Sequence, residues 1–83
     1  MQNFNHALLR VADARSLTAD SRAAFYAKVK GGLLPPLVKI SARSSAVPAR
    51  EIEAVNAARI RGATDDEVRD LVKRLHAARA LAA

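Results

Sequence analysis

Apolar positions along the chain change period several times, and each change marks an element. In Leu8-Leu9-Arg10-Val11-Ala12-Asp13-Ala14-Arg15-Ser16-Leu17, residues Leu8, Val11 and Ala12, with Leu17 as a further candidate, can share one side of a short helix near residues 11–16. Residues 1–7 carry no such pattern and read as a partly ordered lead. Thr18-Ala19-Asp20-Ser21 interrupts the helix, because small polar side chains compete for backbone hydrogen bonds. Asp20 or Ser21 is placed to cap the helix that follows. That helix is predicted over 22–30, with Phe25 and Val29 as its buried stripe and Arg22, Ala23, Tyr26, Ala27 and Lys30 outside it. Gly31-Gly32 ends it.

Leu33-Leu34-Pro35-Pro36 cannot be helix interior and reads as an extended, anchored connector. Leu37 to Ser41 alternates as a strand, with Leu37 or Val38 and Ile40 apolar and Lys39 outward. Ala42-Arg43-Ser44-Ser45 is a polar tip, and Ala46-Val47 can return as a second strand to make a hairpin. Pro48 stops it and suits the first turn of a third helix, expected over 49–61 on the spacing of Ile52, Val55, Ala58 or Arg59, and Ile60, and ended by Gly62. Thr64-Asp65-Asp66-Glu67 is a capping box, in which the Thr hydroxyl and the Glu carboxylate serve each other's backbone amides. It opens a fourth helix over 65–81, with Val68, Leu71, Val72, Leu75, Ala78 and Ala82 as its apolar stripe and Lys73, Arg74 and Arg79 at its negative end.

The plan is helix, tight turn, helix, small hairpin, helix, helix. It predicts one mainly α domain spanning 1–83, with a core motif over about 8–62 and a C-terminal amphipathic helix over 64–81. A chain of 83 residues buries only a thin core. It has no Cys, and His6 and His76 stand far apart, so no metal site or cofactor is expected. Four of the eight acids lie at the capped start of the last helix, Glu51 and Glu53 point different ways, no Ser, His and Asp pattern marks a nucleophile, and Gly31-Gly32 is not a phosphate loop; the chain does not read as an enzyme. No apolar run spans a membrane and no secretory leader is visible, so a cytoplasmic, nucleoid-associated protein is expected.

Charge changes the picture most. Residues 1–50 hold eight bases and two acids, residues 51–83 six of each, so the whole net charge of +6 lies in the first half. Between Asp20 and Glu51 there are six bases and no acid. Such one-sidedness points to a polyanion. Two helices joined by a short turn offer the second to the DNA major groove, and a following hairpin adds a wing. The candidate DNA contacts are Ser21, Arg22, Ala23, Tyr26, Lys28, Lys30, Lys39, Arg43 and Ser44. Arg22 is the candidate for a guanine edge, Arg43 for the minor groove and the lysines for phosphates. Tyr26 either reaches a phosphate or is core; Ser21 either caps or touches DNA; Ser44 and Ser45 either touch the backbone or form the turn.

Residues 8–60 resemble a known family, the AlpA-like prophage regulators, close in fold to phage excisionases and the MerR-type winged helix–turn–helix. The carrying residues are Leu8-Leu9-Arg10-Val11, then Leu17-Thr18-Ala19-Asp20-Ser21-Arg22-Ala23-Ala24-Phe25-Tyr26, Gly32-Leu33-Leu34-Pro35-Pro36, Val38-Lys39-Ile40, Arg43 and Glu51-Ile52-Glu53-Ala54. The chain departs from the pattern at Ala19 (usually Gly), Asp20 (Leu), Ala23 and Ala24 (Ser and Thr), Ala27 (often Arg) and Val47 (Trp). The resemblance implies a winged helix–turn–helix regulator or excisionase of a mobile element or prophage. Its implied partners are double-stranded DNA with tandem, bent sites, a cognate integrase, and other copies of itself on DNA. Losing hydroxyls and an Arg from the reading face implies sparse base readout, with phosphate and shape contacts dominant. The competing reading is a helical adaptor that uses the 65–81 helix. RNA is a weaker alternative, because Phe4, Phe25 and Tyr26 are too few stacking platforms.

Overall fold

The computed structural model describes residues 6–81. Its elements are β1 (Leu8–Arg10), α1 (Val11–Thr18), α2 (Arg22–Lys30), β2 (Val38–Ser41), β3 (Ser44–Pro48), α3 (Ala49–Ile60) and α4 (Asp65–Ala78), followed by a 3-10 turn at Arg79–Leu81. The molecule is mainly helical with one small antiparallel sheet of order β1-β3-β2. Of the predicted features, Phe4, Ala82 and most of the N-terminal lead lie outside the described residues.

The local signals explain α2 and α4. Ser21 Oγ accepts from the Ala24 amide at 3.1 Å and so caps α2. At α4 both halves of the capping box are formed: Glu67 N–H donates to Thr64 Oγ1 at 3.2 Å, and Thr64 N–H donates to Glu67 Oε1 at 2.9 Å. Gly62 takes a left-handed φ of 88° between α3 and α4, where a side chain would be strained.

The first helix differs from expectation. Leu8 belongs to a strand, and Leu17 is 55% exposed; the α1 residue in the core is Ala14. β1 pairs with β3 in the register Leu8↔Pro48, Leu9↔Val47 and Arg10↔Ala46, and this turns the predicted hairpin into a three-stranded sheet. The hairpin tip is also tighter than predicted, because Ser44 and Ser45 are already in β3. Ile60 is 85% exposed, Ala58 rather than Arg59 is buried, and α4 stops at Ala78.

The core joins Ala14, Phe25, Leu34, Val47, Ile52, Val55, Val68 and Val72, so every helix and β3 contribute. One charge lies within it. Glu51 is buried, and Arg79 closes on it with Nε to Oε2 at 2.9 Å and Nη2 to Oε1 at 2.6 Å. The same Nη2 donates to the Pro36 carbonyl at 2.7 Å. Arg79 therefore does not serve the helix end in solvent, as its position in the sequence suggested. It ties the last turn to the first turn of α3 and to the connector before β2.

Two stability effects follow. Ala19 ends α1 in the left-handed region (φ 60°, ψ 32°), a conformation that costs a non-glycine residue about 1–2 kcal/mol. Part of that gain is offset by the greater chain entropy of glycine, so Ala19→Gly is expected to stabilise by about 0.5–1 kcal/mol and raise Tm by a few degrees; an unchanged melting curve refutes the strain. Arg79→Ala leaves Glu51 buried without its partner and is expected to cost about 3 kcal/mol or more in denaturant unfolding. Glu51→Leu with Arg79→Leu is expected to lose much less, because no unpaired charge stays inside.

Candidate nucleic-acid interface

The exposed face of α2 is set by its spacing. Arg22, Tyr26 and Lys30 follow one another at four-residue intervals, with Ala23 and Ala27 beside them, and all five are exposed. Phe25 holds the opposite side in the core. Tyr26, placed either at a phosphate or in the core by the sequence, is 40% exposed. Its ring stands edge-on to Phe25, with centroids 6.1 Å apart. The Arg22 guanidinium carbon lies 5.7 Å from the Tyr26 ring centre, a cation–π contact that limits where the arginine can go.

Between this helix and the outer face of the sheet runs an open groove of about 560 Å³. Tyr26 lines one wall, and Arg43, Ser44 and Ser45 line the hairpin side. The floor is apolar: Leu8, Val11, Ile40 and Ala46. Arg10 of β1 also lines the groove, and the sequence had not placed it in the site. Nothing local signals its position, which depends on β1 pairing with β3. None of the groove's lining residues carries a carboxylate or an imidazole, so the groove offers a catalyst no general base of those kinds.

The remaining candidates divide. Lys30 and Lys39 are exposed outside the groove, at the end of α2 and on the edge strand β2. Ser21 has its oxygen engaged in the cap. Lys28 faces away from the rest. Its ammonium donates to Asp20 Oδ1 at 2.7 Å in a small cleft shared with Asn56 and Arg59 of α3. By contrast, Arg10, Arg22, Lys30, Lys39 and Arg43 make no ion pair among the described residues. In the second half Arg59, Arg69 and Arg79 are paired with Asp65, Asp66 and Glu51, while Arg61, Lys73 and Arg74 make no ion pair among the described residues. Among the described residues no group of three potential ligands could hold a metal ion, and no helix is long and apolar enough to cross a membrane.

Asp20 has little exposed surface, and its Oδ2 has no hydrogen-bond partner. Burial opposes its charge, but the hydrogen bond and charge of Lys28, with Arg59 beyond, outweigh burial and hold the carboxyl below its usual range. A carboxylate with a folded pKa below the unfolded one adds stability above the unfolded value, and loses it as the pH falls through the folded value. The stability difference between the wild type and Asp20→Asn should therefore be largest above about pH 4 and shrink in more acid solution. A difference that is flat with pH, read from thermal melts, would remove Asp20 from the charged pair.

No family model matches the chain, and neither a curated protein nor a solved structure matches it.

Proposed function

We propose that the chain is a DNA-binding protein of the AlpA-like regulator and excisionase type, a winged helix–turn–helix. On this reading α2 enters the major groove and the β2–β3 hairpin carries Arg43 to the adjacent minor groove. One observation carries the reading: Arg10, Tyr26 of α2 and Arg43 at the hairpin tip line one groove, in the half of the chain where, among the described residues, seven of the eight cations make no ion pair. α1 and α2 are joined by only three residues, 19–21, as a helix–turn–helix needs. An α-helix fits the major groove of B-form DNA but not the deep, narrow one of A-form RNA, which favours DNA.

The face is poor in base-reading groups. Ala23 and Ala27 can meet thymine methyls, while Arg22, oriented by Tyr26, can offer two parallel donors to guanine. Phosphate contacts then carry most of the affinity, and specificity rests on DNA shape and on several copies bound side by side. This suits an excisionase that bends tandem sites for an integrase, and equally a regulator at a promoter. The adaptor reading is weaker, because α4 directs Val68 and Val72 into the domain's own core, with Leu71 and Leu75 packed against it.

The deciding experiment is a salt-titrated binding assay with DNA flanking the gene and a scrambled duplex of equal length. Tighter binding to the flanking DNA is expected, with log K falling steeply and linearly with log salt. Arg43→Ala is expected to weaken both complexes and lower the salt slope by about one unit. Equal weak affinity for both duplexes, with no change for Arg43→Ala, overturns the reading. Footprints in a repeated array beside an attachment site point to excision, and one site over a promoter points to transcription control.

A further inference from the structure

The groove has a wall that belongs to neither α2 nor the hairpin. β1 lies antiparallel to β3 with Arg10 opposite Ala46, and Arg10 and Arg43 line the same groove from separate parts of the chain. Both arginines are exposed. Among the described residues the Arg10 guanidinium has neither an ion pair nor a hydrogen bond, so it is free to take an acceptor from outside.

The groove that both arginines line is also lined by apolar side chains, of which Leu8 and Ile40 are each about half exposed (50% and 52%). An exposed apolar floor rimmed by guanidiniums and hydroxyls fits a ligand that alternates anionic and apolar units. A sugar–phosphate strand does this: each phosphate accepts charge-assisted hydrogen bonds, while each deoxyribose presents C–H surface. Ser44, Ser45 and Tyr26 supply hydroxyl donors along the rim, and no carboxylate is there to repel the phosphates.

Resting on the DNA-binding reading above, we propose that the outer face of the sheet is a channel for one sugar–phosphate strand of duplex DNA, and that Arg10 of β1 binds a phosphate there opposite Arg43. The contact is to the backbone, so Arg10 positions the protein without reading sequence.

The full chain carries the test, in the same salt-titrated assay. Arg10→Ala is compared with Arg43→Ala and with Arg74→Ala, an exposed α4 arginine outside the groove whose loss changes the net charge equally. Arg10→Ala is expected to weaken binding about three- to tenfold on flanking and scrambled DNA alike and to lower the salt slope by about one unit, and Arg74→Ala to do much less. Replacing backbone phosphates one at a time by neutral methylphosphonate should find one position that weakens the wild type but not Arg10→Ala. If Arg10→Ala does not fold, judged by its melting curve, Arg10→Gln keeps the stem length and removes the charge. Should the Arg10 variant bind like Arg74→Ala while Arg43→Ala is impaired, the channel is wrong and the DNA-binding reading stands. If the wild type itself shows no salt-dependent affinity for either duplex, both fall together.

Discussion

β3 is hydrogen-bonded along both edges, and the placement of the basic face follows from that pairing. A two-stranded hairpin alone is marginal in water. With β1 added, Leu9 and Val47 stand opposite each other and pack into the core. Because side chains alternate along a strand, Leu8, Arg10 and Ala46 then face the other way, onto the groove. A one-residue slip of β1 would exchange these sets, sending Arg10 inward and Leu9 out. The same register that completes the core thus exposes the cation beside the hairpin. Ala49 N–H reinforces it by donating to the Ala7 carbonyl at 2.9 Å, which ties the start of β1 to the start of α3.

The other long-range constraint is Arg79 on Glu51. In so small a core, a buried carboxylate lowers stability unless its charge and hydrogen bonds are satisfied. Two nitrogens of one guanidinium satisfy them here, and Nη2 also satisfies the carbonyl of Pro36. An apolar pair could match the stability, but it would not fix the angle at which the last turn meets α3. Since Pro36 lies two residues before β2, the pair also anchors the root of the hairpin. The C-terminal helix therefore acts on the basic face indirectly, through the connector.

What was legible in the sequence was encoded locally. Ser21 capping α2, the Thr64–Glu67 capping box and the 22–30 limits of α2 each rest on residues within one or two turns, where propensity and hydrogen bonding decide. What was missed needed a distant partner. Three residues from Leu8 to Arg10 form no strand until β3 accepts them, so periodicity alone assigned Leu8 to a helix face. Glu51 and Arg79 are 28 residues apart, and each in isolation reads as an ordinary solvated charge. Ile60 kept helical spacing yet stayed exposed, because α3 turns its Ile52–Val55–Ala58 face inward and nothing covers the next position. Of the candidate site, Tyr26, Arg43 and Ser44 were read and do meet at the groove; Lys28 was read but is held by Asp20, and Arg10 was not read.

Bulk charge is a poor guide to a polyanion site, because a cation already paired has little attraction left to offer. Among the described residues, three of the six cations in the half with no net charge (Arg59, Arg69 and Arg79) have intramolecular carboxylates, against Lys28 alone of the eight in the basic half. Lys28 shows the distinction within one helix. It projects from the side of α2 away from the exposed stripe and Asp20 takes its charge, so α2 presents Arg22 and Lys30 one turn to either side of Tyr26. The Asp20–Lys28 pair is thus a contact within the domain. On the proposed reading, phosphate contacts would come from the ends of α2, the hairpin and β1, spread around an apolar floor rather than concentrated on one helix. A surface of that kind would hold a strand along its length and depend on the DNA conforming to it, so that on the proposed reading shape and deformability would supply the selectivity that Ala23 and Ala27 on α2 cannot.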